Sequence, residues 1–146
     1  MTLPMKAKLQ RGAMMLEALI GILIFSAGIL ALIGMQALAI AHVADAKYRA
    51  DASFFANEII AQMWVDRANL ANYEFAGSGT PPTAIQPWVD KITGTTGGNG
   101  LPGAAANLPI IDVDTATGQV SVDVRWQPPN AQSAHTHRTI ALIAAP

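Results

Sequence analysis

The stretch RGAMMLEALIGILIFSAGILALIGMQ, residues 11–36, decides how the rest of the chain is read. It opens on Arg11-Gly12 and runs into apolar sequence that holds one carboxylate, Glu17. From Ala18 to Met35 no residue is charged, and Ser26 alone carries a polar side chain. A run of that length suits a membrane-spanning helix, because about 20 residues cross a hydrocarbon core of roughly 30 Å. A carboxylate near the bilayer interior costs about 3 kcal/mol on insertion scales. Glu17 therefore calls for a partner. Near the start of a helix it is favoured by the dipole, and any amine nearby would attract it. Gly21, Ala27, Gly28 and Gly34 are small enough to let a second helix approach closely. Lys6, Lys8 and Arg11 place the N-terminus on the cytoplasmic side and the remainder across the membrane.

A basic leader, a glycine and an apolar helix with an early glutamate together resemble the start signal of type IV pilins and type II secretion pseudopilins. With Ala13 as the first mature residue, Glu17 is the fifth, as in that family. The resemblance at this end covers residues 6–41. It implies that prepilin peptidase removes residues 1–12 by cutting between Gly12 and Ala13, and that Ala13 is then methylated. It also implies that Glu17 reaches the N-terminal amine of a neighbouring subunit and sets the register of a helical bundle. The implied location is the inner membrane, crossed once with the head in the periplasm, and later an extracellular pilus. The implied partners are other major and minor pilins, the peptidase, the assembly platform and the membrane. Three features depart from the pattern. Ala13 stands where Phe is common, Gly34 replaces the mid-helix proline of many major pilins, and the C-terminal disulfide of many major pilins is impossible without cysteine.

A secretory signal peptide has the same basic start and apolar middle. Here the apolar sequence runs on through Ile40, longer than a usual signal core. Gly12 precedes the run, so a cut there keeps the helix in the product.

Composition narrows the remaining classes. Net charge is −1, so there is no basic footprint for nucleic acid. With no cysteine, disulfides, thiolate zinc sites and cysteine catalysis are all excluded. Beyond residue 45 about 100 residues remain, enough for one small core. The expected organisation is a leader over 1–12, an apolar half-helix over 13–41 and a globular head over 42–146.

No Pro or Gly interrupts Gln36 to Ala76, and Ala-rich helix formers fill that span. Tyr48, Ala52, Phe55, Ile59 and Met63 recur every three or four residues, flanked by Ala56, Ile60 and Trp64, which is an amphipathic face. One helix from Met14 to Asn72 is expected, its second half packed on the head. Pro87 to Ile92 followed by Gly94 reads as a short helix with Pro in its first turn and Gly past its end. GTTGGNGLPG, residues 94–103, reads as loop and not as a phosphate cradle, since no strand precedes it and no helix follows.

The last third is β. Ile110–Val113 forms a short strand, and a turn at 114–118 follows. Val120, Val122, Val124 and Trp126 alternate with Ser121, Asp123, Arg125 and Gln127, the period of a half-buried strand. Pro128-Pro129-Asn130 ends it, and Arg138–Ile143 supplies a third strand with Ile140 and Leu142 inward. The expected fold is α+β, a long N-terminal helix packed on a small antiparallel sheet, as in pilins. The Trp-bearing short helix, the Leu-Pro-Gly loop and the valine strand ending in Trp126 draw the resemblance toward minor pilins of the PilV kind.

Two clusters invite other chemistry. His135 and His137 share a strand face but fall short of a zinc set of three or four ligands. Asp112 and Asp114 are acidic residues that calcium could use, yet the EF-hand pattern and its closing Glu are missing. Turn formation accounts for Asp114 equally well. No nucleophile–base pair is apparent, so no catalytic residue, metal or cofactor is expected. The function implied is that of a minor pilin that helps initiate a type IV pilus and enters it. Two alternatives stay open: a type II secretion pseudopilin, and a single-pass anchored binding domain that does not polymerise.

Overall fold

The computed structural model describes residues 10–98, 100–129 and 131–144, without the side chains of Gln10 and Arg11. Most of the leader, with Lys6 and Lys8, and also Asn99 and Asn130, lie outside the described residues.

The first helix, α1, runs from Gln10 to Val65. It begins earlier than expected, so Gly12 and Ala13 are already helical. It also ends earlier. A 3-10 segment, Arg67–Tyr73, follows Asp66, and Asn69 inside it is non-helical. No Pro or Gly marks that end, so composition gave no stop signal. Across the 3-10 segment the Asp66 carboxylate accepts from Asn69 Nδ2 at 2.6 Å and from the Tyr73 hydroxyl at 3.1 Å. Helix α2 spans Gln86–Thr93, with Pro in its first turn and Gly94 left-handed at φ 76° beyond its end. Strands β1 (Ile110–Asp114), β2 (Gln119–Trp126) and β3 (His135–Leu142) form one antiparallel sheet in sequence order.

Two compact units divide the chain, one up to Val43 and one from Ala44. In the second, α1 lays Ala52, Ala56, Ile59, Ile60 and Met63 against the inner face of the sheet. These positions follow the i, i+4, i+7, i+8, i+11 pattern of a single helical stripe. Tyr48 and Phe55 only flank it, and Trp64 is 47% exposed, one position (about 100°) round the helix from Met63. Opposite lie Ile111, Val113, Val120, Val122, Val124 and Trp126. The short helix α2 adds Trp88, Val89 and Ile92, and the Trp88 indole donates to the Phe55 carbonyl at 2.9 Å.

The third strand faces the other way from the expected one. Ile140 and Leu142 are 60% and 65% exposed. Register explains the reversal: Ile140 pairs with Ser121 and Leu142 with Gln119, both on the outer row of β2. Side chains alternate across a strand, so the inner row of β3 is His135, His137, Thr139 and Ala141, continued by fully buried Ile143.

Candidate assembly interface

Among its described residues, the first unit is a single helix. Every residue from Gly12 to Val43 is exposed, including Met14, Leu23, Phe25 and Leu30. Its most apolar 18-residue window has a mean hydropathy of 2.5 and is 0% buried. By length and composition this helix can cross a membrane. Exposed apolar area of this extent is disfavoured in water.

Glu17 is exposed on this helix, with no ion-pair partner among the described residues. At about 100° per residue, Ala13, Glu17, Gly21 and Gly28 fall on one side. Ala27 and Gly34 form a second line, about 120° from Gly21 and Gly28 and about 50° from Ala13. The four small residues named from sequence therefore make two lines of approach instead of one. A Cβ added at Gly12, Gly21, Gly28 or Gly34 would meet nothing within 4 Å. Among the described residues these glycines therefore pack against no neighbouring group. Sequence spacing singles out Glu17 and the small residues as one group; their division into two lines follows from helix geometry.

The bond between Gly12 and Ala13 lies within α1. A protease active site takes extended backbone, so cleavage there requires the first turn of the helix to unwind. Gly12 lowers that cost, because glycine is about 1 kcal/mol poorer than alanine in a helix.

The other sequence candidates are taken up by local structure. Asp114 Oδ1 accepts from the backbone N–H of Ala116 at 2.9 Å, and Oδ2 accepts from the Thr117 hydroxyl at 2.7 Å. The Thr117 hydroxyl is the first cause that holds the Asp114 carboxyl below its ordinary value. Asp112 is exposed on the preceding strand. Among the described residues no three His, Cys, Asp or Glu side chains could hold a metal ion. His135 and His137 share the inner row of β3 but part company there. His135 Nδ1 stands 3.3 Å from Asp45 Oδ1, and its ring meets the Trp126 indole edge-on at 5.6 Å. His137 Nε2 instead lies 3.1 Å from the Thr139 hydroxyl.

No family model, curated protein or solved structure matches this chain. The site is therefore argued from its own chemistry.

Proposed function

We propose that the chain is a minor type IV pilin of the PilV kind, which helps initiate a pilus and is built into it. Prepilin peptidase cuts after Gly12, Ala13 is methylated, and the mature protein waits in the inner membrane with its head in the periplasm. The observation that carries this reading is the side of α1 that aligns Glu17 with Gly21 and Gly28 on a helix exposed from Gly12 to Val43. In that setting the Ala13 amine of a neighbouring subunit is the natural partner of Glu17. Two opposite charges in a poorly polar bundle attract far more than in water, although desolvation consumes much of the gain. The net yield is axial register more than affinity. The α+β head, a helix packed on a three-stranded antiparallel sheet, agrees with a pilin-like layout.

Two measurements test the reading. The N-terminal mass of the protein from membranes is expected to begin at methylated Ala13; an intact leader or an ordinary signal cleavage refutes it. Glu17→Ala is expected to be processed and stable but absent from sheared fibres, as judged by immunoblotting fibres against membranes. Equal incorporation of the variant would leave Glu17 as a hydrated interfacial carboxylate.

A further inference from the structure

No further inference is drawn: the strongest candidate, the pocket between the 3-10 segment and the β1–β2 turn, lined by Arg67, Leu70, Thr117 and Ile143, presents one exposed cation, and nothing in the structure shows what covers it.

Discussion

Arg138 grips Asp123 with two parallel bonds, Nε to Oδ1 at 2.6 Å and Nη2 to Oδ2 at 2.5 Å, from directly opposite positions on β3 and β2. Asp123 is buried, and the Arg138 side chain remains 64% exposed. The hydrogen bonds to Asp123, reinforced by its charge, push the guanidinium pKa up. The two partners are thus unequal. Losing the arginine strands a buried carboxylate, whereas losing both leaves an ordinary cross-strand pair.

Arg138→Ala should therefore lower the melting temperature, and adding Asp123→Ala should recover part of the loss. Thermal denaturation followed by circular dichroism completes the cycle. A double variant that loses the sum of the single losses would show the two side chains acting independently.

Gly118 and Gly100 are among the glycines required by space. A Cβ at Gly118, where φ is 73°, would lie 2.4 Å from the Ile143 carbonyl oxygen. At Gly100 it would lie 2.4 Å from the Gly94 nitrogen and 2.5 Å from the Ile92 carbonyl oxygen. Both contacts are with backbone, which cannot swing aside. Alanine at either position should cost roughly 2 kcal/mol or more. Gly98→Ala meets nothing within 4 Å and should be near neutral. Equal losses at Gly98 and Gly100 in urea denaturation would show that the close approach is not what constrains position 100.

The two sides of α1 in the head should respond oppositely to truncation. Ile59 is fully buried, and Ile59→Ala should cost about 2–5 kcal/mol. Phe54, 66% exposed on the same helix, should tolerate Phe54→Ala within about 0.5 kcal/mol. Comparable urea midpoints for the two variants would mean that the helix face is assigned wrongly.

Acid should weaken the head partly through Asp45. A hydrogen bond from Arg49 at 2.9 Å is the first cause that holds its carboxyl below the ordinary 3.8, and the charges of Arg49 and His135 add to it. With a depressed folded pKa, the unfolded chain takes up the proton first. The contribution is therefore complete above the unfolded value and is lost as pH falls through the folded one. Asp45→Asn should be less stable than wild type at neutral pH, and the two curves should converge below about pH 4. A constant gap between them down to pH 2 would remove the ion pair as the cause.

Local chemistry made several elements legible in the sequence. Pro87 and Gly94 bracket α2, and the alternating valines of β2 face the core as their period requires. The carboxylate and glycines of α1 were visible because an uninterrupted apolar run makes each exception stand out. Strand β3 was read upside down for a physical reason. Ile140 and Leu142 are its most apolar residues, but its orientation is fixed by pairing with β2 and by Ile143, one residue past its end. The grip of Arg138 on Asp123 depends on that same register and was invisible without it. The end of α1 carries no Pro or Gly, so nothing in the residue types near Asp66 marks it.

The order of elements along the chain also sets an order of events. The helix face of Ala52, Ile59 and Met63 is synthesised before Val120, Val122, Val124 and Trp126, the residues that cover it. Between the two stand α2 and a glycine-rich loop, so the core closes through contacts distant in sequence, a topology that slows folding. Until the last strands arrive, an apolar stripe stays open to any passing chain, and such exposure invites aggregation.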